Sequence, residues 1–589
     1  MSKSVRYLLN SGARRIRSSF VPCLLAGLLL FTGCTAKHYR KSADREVAKV
    51  IARKTPAVPN MDPHFTIEQT NQIPIEGLPV VEKVEEFLGS ERQTELQARV
   101  LSLEKALAMA VRQSREYQNQ KEVLYLAGLN LTLDRHRYAP LFTSSGGTTI
   151  QNQPADVAKA IDDLTGGQSS LLQRDTTVVQ QYNLSGQGGL NASVLLRSGA
   201  TLASSFTVDF IRFLNGDRRF AVRSALGTTL TQPLLRGFGY KVTMENLTQS
   251  ERDLLYALRD FTLFRKEFAV RVAQRYYGVL QGRDAARNGY LGYQNANESL
   301  TRGRAFAEEG RTSQSELGLL EQSALNAETR WVNAIRTYKQ DLDQFKILIG
   351  LPTDSRVVLD DQELAEMRIA HPSLSVEEAV KVALATRLDL QTARERAEDA
   401  ARKVPIAKDA LKPRVDMVLS GTVENAPTSN NPLDLDFERA RGSAGVNFDL
   451  PLDRKQQRNS YRSALIAKER ADRALQLQED QIKLQLFDDW RTLDQAKRNH
   501  AISELGVKLA ERRVEEQELR AKMGRGTARD LVDAQTTLIS SRNERTQALV
   551  GHTIARLQFW RDMGILFIKE NGQWEDIPNA TGGAHGPTG

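Results

Sequence analysis

Along most of the chain the apolar positions recur at helical spacing, and in two stretches they switch to alternation. Leu475, Ile482, Leu486 and Leu493 step by 7, 4 and 7, and Ile502, Leu505 and Leu509 continue by 3 and 4, with charged residues between them. Such spacing predicts one apolar seam along a long helix of coiled-coil type. The 73 residues from Pro451 to Gly524 amount to roughly 110 Å if all are helical at 1.5 Å per residue. Elsewhere the period is two. Ala444, Val446, Phe448 and Leu450 alternate with Ser443, Gly445, Asn447 and Asp449; Leu202, Phe206, Val208 and Phe210 share one parity, opposite Thr201, Ser205, Thr207 and Asp209. These runs predict strands with one apolar and one wet face, as in a membrane barrel or a soluble sheet.

The pattern is written twice. Leu101–Ala110 matches Leu374–Ala383 at an offset of 273, which also carries Gln118 onto Gln391 and Pro140 onto Pro413. Gln232-Pro233-Leu234 matches Leu450-Pro451-Leu452 at an offset of 218, and Gly310-Arg311 matches Gly524-Arg525 at 214. The drop from 273 to 218 leaves 55 extra residues in the first copy between Pro140 and Pro233, either a loop or an additional hairpin. Proline is poorly tolerated inside helices and central strands, so Pro140, Pro233, Pro413 and Pro451 mark the strand-helix junctions. Each copy then reads helix, strand, strand, long helix, turn, helix. The expected division is 1–33, a signal peptide; 34–99, a Pro-containing tether or wrapping segment; 100–350, the first copy; 351–373, a linker; 374–568, the second copy; and 569–589, a flexible tail.

Composition narrows the class. Aromatics are 6% and charged residues 26% of the chain, which suits long solvated helices. The formal charge of +9 suggests a polyanion partner, but the first 33 residues carry five basic residues and no acid. Without them the charge is about +4, and nothing points to nucleic acid. Arg14, Arg15 and Arg17 precede the apolar run Val21–Phe31, followed by Thr32-Gly33-Cys34. That run is too short for a permanent span and has the flanks of a secretory signal. No other run approaches 18 apolar residues, so any membrane insertion falls to a closed barrel or a lipid.

Small residues before Cys34 resemble the lipobox of bacterial lipoproteins, with Phe31 where leucine is usual. The resemblance implies cleavage before Cys34, a covalent lipid on its sulfur and no other cofactor; Thr35 in place of Asp implies export to the outer membrane. The duplicated order, with Gln232-Pro-Leu-Leu-Arg-Gly237 at a strand-to-helix junction and Gly524-Arg-Gly-Thr-Ala-Arg-Asp-Leu-Val-Asp-Ala-Gln535 at a helical turn, resembles the TolC family of outer-membrane efflux proteins over about residues 95–568. It implies a mixed α+β membrane protein: a homotrimer whose transmembrane β-barrel continues into a long periplasmic α-helical barrel. The implied function is a passive exit duct for a tripartite efflux or type I secretion system. Its implied partners are outer-membrane lipid, a periplasmic adaptor (membrane fusion protein) and an inner-membrane pump.

Asp530 and Asp533, spaced i, i+3, share one helix face after the second turn. The resemblance implies an acidic ring at the periplasmic gate; the plain alternative is a pair of acids favoured by a helix N-terminus. The first copy has Glu316 and Leu319 at these positions, and Gly526 stands where the family often has a basic latch residue. The turns with Gly310, Arg311, Gly524, Arg525 and Gly526 are the implied adaptor-docking surface. His38, His64, His371, His500 and His552 are scattered without metal-ligand spacing, so no metal site is expected. Neither HExxH, P-loop nor GxSxG stands in a suitable context, so no enzymatic activity is expected. A periplasmic adaptor and a peptidoglycan-associated structural lipoprotein are the alternatives to the duct.

Overall fold

The computed structural model describes residues 35–68, 73–83, 85–158, 176–214, 220–311, 313–426, 429–523 and 525–575. The expected signal segment and Cys34 lie outside them. The two copies build nearly equal sets of helices. In the first these are α2 (Leu103–Gln113), α3 (Arg115–His136), α4 (Glu245–Glu308) and α5 (Gln314–Ile349). The second has α6 (Val376–Thr386), α7 (Leu388–Asp409), α8 (Lys455–Lys522) and α9 (Ala528–Asp562). Ser102 and Ser375 cap α2 and α6 by accepting the N–H of Lys105 and Glu378. The 68 residues of α8 make a rod of about 100 Å. One proline, Pro405, lies inside α7, where proline spacing alone predicts a boundary.

Between the helices, β2 (Leu141–Ala158), β3 (Thr176–Leu195), β4 (Thr201–Phe213) and β5 (Phe220–Pro233) belong to the first copy, β7 (Arg414–Glu424) and β8 (Arg441–Asp449) to the second. They form one antiparallel sheet in the order β2-β3-β4-β5-β7-β8. The 55 extra residues therefore make a hairpin: the first copy has four strands where the second has two. Register puts Phe206 opposite Leu190 and Leu226, and Leu230 opposite Leu419. The apolar positions thus line one face across both copies. Within one chain the sheet stays open, with β2 and β8 at its edges.

Three segments outside the copies are more structured than their sequence suggests. The expected tether begins with a helix, α1 (Ala36–Lys54), whose Val47, Val50 and Ile51 are buried; Val47 and Ile51 pack on α3 at Gly128. The 351–373 linker contains β6 (Val357–Leu359), which pairs in parallel with β1 (Arg99–Leu101). The expected flexible tail is folded through residue 575: Ile568 bridges to Trp574 and Asn60 exchanges two 2.9 Å hydrogen bonds with Ile568. Helix α9 stops at Asp562, six residues before the expected end of the second copy at 568, because Gly564 turns the chain with φ +80°. These segments form a belt around the helices. Arg265 donates to the carbonyls of Asn60, Ile568 and Lys569. Arg283 lies 3.2 Å from Glu95 and 2.8 Å from Asp361, and Tyr338 donates to Glu95 at 2.8 Å.

The seam is half as expected. Ile482, Leu486 and Leu493 are buried with Phe559 and Met563. Ile502, Leu505 and Leu509 instead face outward, 69, 58 and 55% exposed, while Ser503, Val507 and Ala510 are buried.

Polar pairing holds the two copies to each other. The buried Asp399 of α7 accepts from Arg252 Nη1 and Tyr256 of α4, each at 2.7 Å, and from Arg402 at 2.7 Å. Burial pushes its pKa up, but the Tyr256 hydroxyl and the two guanidinium groups outweigh this and hold it below the ordinary aspartate value. Asp399→Asn leaves two guanidinium groups without their shared counter-charge. It is expected to cost about 3 kcal/mol, read as a lower thermal or denaturant midpoint of the folded chain at neutral pH. A change within 0.5 kcal/mol would show that the cluster does not hold the copies together.

Candidate functional site

Two regions collect the residues singled out by sequence: the helical turns at one end and the strand-helix junctions at the other. In the first turn, α4 ends on Gly310, whose φ of +72° is a left-handed conformation that costs glycine nothing. Arg311 N–H returns to Phe306 O at 2.8 Å. Arg311 pairs with Glu309 at 3.2 Å and lies over the Phe306 ring. Ser313 then starts α5 in a capping box with Glu316.

The second turn repeats the device. Gly524 lies outside the described residues. Arg525 and Gly526 both donate their N–H to Arg520 O, at 2.9 and 3.1 Å. A Cβ on Gly526 would fall 2.9 Å from Ala521 N, so close backbone approach explains a glycine there. Thr527 caps α9: its oxygen accepts from Asp530 N–H at 3.2 Å and its hydroxyl donates to the Asp530 carboxylate at 2.7 Å. Asp530 thus has the local capping role that Glu316 has in the first copy. Asp533, one turn further on, is exposed and makes no ion pair among the described residues. Leu319, its counterpart, is 38% exposed.

The hairpins meet just behind these turns. Leu300, Leu320 and Ala324 form an apolar cluster on which Ala528 and Val532 pack, and Gln535 donates to Ser299 at 3.3 Å.

At the other end, Pro140 immediately precedes β2, Pro233 closes β5, Pro413 immediately precedes β7 and Pro451 follows β8 by two residues. The junctions of the two copies are tied to each other: Leu234 N–H reaches Val415 O at 2.7 Å and Gly237 N–H reaches Asp409 Oδ2 at 2.8 Å. Around them Leu234, Leu235, Phe238, Tyr240, Leu450 and Leu452 are all exposed, Leu452 completely. This apolar and aromatic collar escaped the sequence reading; its signal was Phe238 and Tyr240 beside a junction proline.

Sequence reading also missed that His64 Nδ1 lies 3.0 Å from Glu570 Oε1, with Asp62 adjacent. The hydrogen bond and charge of Glu570 raise the His64 pKa, as in a solvated surface ion pair. His371 and His552 are brought 5.8 Å apart; burial pushes His552 down to about 4, so it stays neutral in the core. Trp490 and Trp560 are packing residues.

Fold and site together define a duplicated strand-and-hairpin chain with an amphipathic sheet at one end of its long helices. Such an arrangement is found in outer-membrane channels. The chain is similar to the Campylobacter jejuni CmeC outer membrane channel (12% identity, 87% of this chain, 97% of that chain, TM-score 0.56). It is also similar to the outer membrane protein VceC from Vibrio cholerae (15%, 78%, 96%, TM-score 0.55) and to the open-state MtrE channel of Neisseria gonorrhoeae (13%, 85%, 98%, TM-score 0.51). A search of curated protein sequences finds no match. Residues 379–558 match the family described as outer membrane efflux protein.

The capping role of Thr527 is open to direct measurement. Thr527→Ala is expected to destabilise the start of α9 by about 1 kcal/mol, seen as roughly fivefold faster hydrogen exchange at 528–531 with no change in the β-sheet. Unchanged exchange would mean that the cap does not order the turn.

Proposed function

We propose that the protein is the outer-membrane exit duct of a tripartite efflux or type I secretion system, passive in itself. Three copies close the sheets into a transmembrane barrel, and the helices form a hollow cylinder reaching into the periplasm. The observation that carries this reading is the sheet: its large apolar side chains gather on one face, the other face is mostly polar, and both edges are unpaired in a single chain. Further support comes from apolar positions that the chain leaves uncovered on its helices. Ile502, Leu505 and Leu509 on α8, Leu325 and Val332 on α5, and Val123, Leu126 and Leu133 on α3 are each more than half exposed at helical spacing. Packing against a neighbouring copy removes them from water. The collar at the junctions is the kind of girdle that sits at a membrane-water interface, which supports a membrane boundary at the strand-helix junctions.

In this reading a lipid on Cys34 adds an anchor. Helix α1 runs toward the sheet, with Asp44 beside Tyr125 and Lys54 beside Glu251, so its first residue lies away from the membrane. Residues 35–42 are exposed; unwound, they span roughly 25 Å at 3.3 Å each, which lets an acylated Cys34 reach toward the bilayer. The turns containing Gly310, Arg311, Gly524, Arg525 and Gly526 dock a periplasmic adaptor that couples the duct to an inner-membrane pump. Asp533, whose carboxylate is not engaged in capping, is the leading member of the gate ring; Asp530 shares its helix face. Three copies bring six carboxylates around the mouth, where they attract cations.

Two measurements test this. The purified protein is expected to run as a heat-dissociable trimer on semi-native gels, with β-structure that inserts in lipid; a water-soluble monomer overturns the duct. In planar bilayers, Asp530→Asn with Asp533→Asn is expected to weaken block by multivalent cations at least tenfold, with Asp533→Asn alone giving most of the effect. Unchanged block removes the acidic ring.

A further inference from the structure

The second copy contributes two strands to the sheet and the first contributes four. We propose that all six lie in the membrane wall, so that three copies close a barrel of three times six, or 18, strands, and that its lumen admits bulky hydrated solutes. This rests on the channel reading above and adds the width of the channel.

Three observations place the extra hairpin in the wall rather than over the mouth. Its faces continue those of the other strands. Phe142 and Leu190 fall on the side of Phe206 and Leu226, whereas Ser145, Gln187 and Asn191 fall on the side of Thr207. A hairpin plugging the lumen or capping the outside has no use for Phe142, Ile150, Leu184 and Leu190 all on the face of Phe206. Second, six is even: each strand runs opposite to its neighbour, so β8 runs opposite to β2 and meets the next copy's β2 in an antiparallel pair, as the rest of the sheet does. Third, the pairing carries the stagger that closure needs. Following partners from Leu141 leads to Ser193, Ala203, Thr229, Ser420 and Ser443. The row leaves β2 at its first residue and meets β8 six residues before its end at Asp449.

If Asp449 then faces the next copy's Leu141, both being at the junction end, each copy shifts the register by those six residues over six interstrand steps. At about 3.4 Å per residue and 4.8 Å per strand that is a tilt of about 35°, the value closed barrels adopt. At this tilt an 18-stranded wall has a backbone diameter of about 34 Å, against about 22 Å for the 12 strands that four per chain would give. Small lumen-side residues, among them Ser145, Gly147, Ser185, Gly189 and Thr207, leave most of that width open, a bore of about 20 Å or more.

The test uses the full chain in outer membranes. With Asp449 facing Leu141, Thr143 of one copy faces Asn447 of the next. Thr143→Cys with Asn447→Cys is expected to give oxidised dimers and trimers on gels, because directly opposed strand residues reach disulfide distance. Separately, Thr207→Cys on the lumen side is labelled from outside with graded poly(ethylene glycol)-maleimides, in the full chain and in one lacking residues 142–196. The full chain is expected to admit probes about 1.5 times the diameter that the shortened chain admits. If the shortened chain fails to assemble, the full chain's own cut-off decides: entry of probes about 20 Å across supports the wide barrel, and their exclusion overturns it. An equal cut-off in both chains, or a stable membrane trimer without the 143–447 cross-link, overturns the wide barrel and leaves the channel standing. Absence of any trimer overturns the channel reading itself.

Discussion

A backbone N–H or C=O that faces hydrocarbon without a partner costs several kcal/mol, and each edge of an open sheet presents a row of them. That constraint governs how this molecule can be used. The sheet gathers its large apolar side chains on one face, which water disfavours, and has two bare edges, β2 and β8, which lipid disfavours. Neither environment suits the single chain. Edge-to-edge closure with further copies satisfies both at once, since it pairs the edges and turns the apolar face outward to lipid and the polar face inward. Other features fall into place around it: the even strand number, the six-residue stagger and the collar at the junctions.

The helical part obeys a different constraint. Of the rods of 64 and 68 residues, α8 buries only a stripe, whereas α4 runs through the main apolar core, with Phe268, Ala269, Val270, Val272 and Ala273 all buried. They are held by packing along Ile482, Leu486 and Leu493, by buried charge pairing such as Asp399 with Arg252 and Arg402, and by a belt of terminal and linker segments zipped through Asn60, Ile568 and Arg265. The belt leaves both ends unwrapped. At one end lie the open edges of the sheet, at the other the two helical turns.

Much of this was legible in the sequence, for identifiable reasons. Junctions were readable because proline excludes itself from the elements on either side, and turns because glycine and a Thr or Ser cap leave a local signature. Strand faces were readable from parity. Three kinds of feature were not. The 55 extra residues contain Gly146, Gly147, Gly186, Gly188 and Gly189, which dilute the alternation that marks a strand, so hairpin and loop looked alike. Ile502, Leu505 and Leu509 have a seam's spacing, but spacing does not say whether the partner helix belongs to the same chain. The meeting of His64 with Glu570, 506 positions apart, belongs to the belt and has no local trace. Of the gate candidates, spacing paired Asp530 with Asp533 on one helix face but could not show that Asp530 is engaged with Thr527, while Asp533 makes no ion pair among the described residues.

The most direct measurement of the central claim is hydrogen exchange on the protein extracted from outer membranes and held in lipid nanodiscs, read at the edge strands. Closure predicts that the amides of Leu141–Ile150 and Arg441–Asp449 are protected to the same degree as those of β4 and β5 in the middle of the sheet. Rapid exchange of every second amide along both edge strands, with β4 and β5 protected, would contradict it, because an open edge leaves alternate N–H groups without a partner.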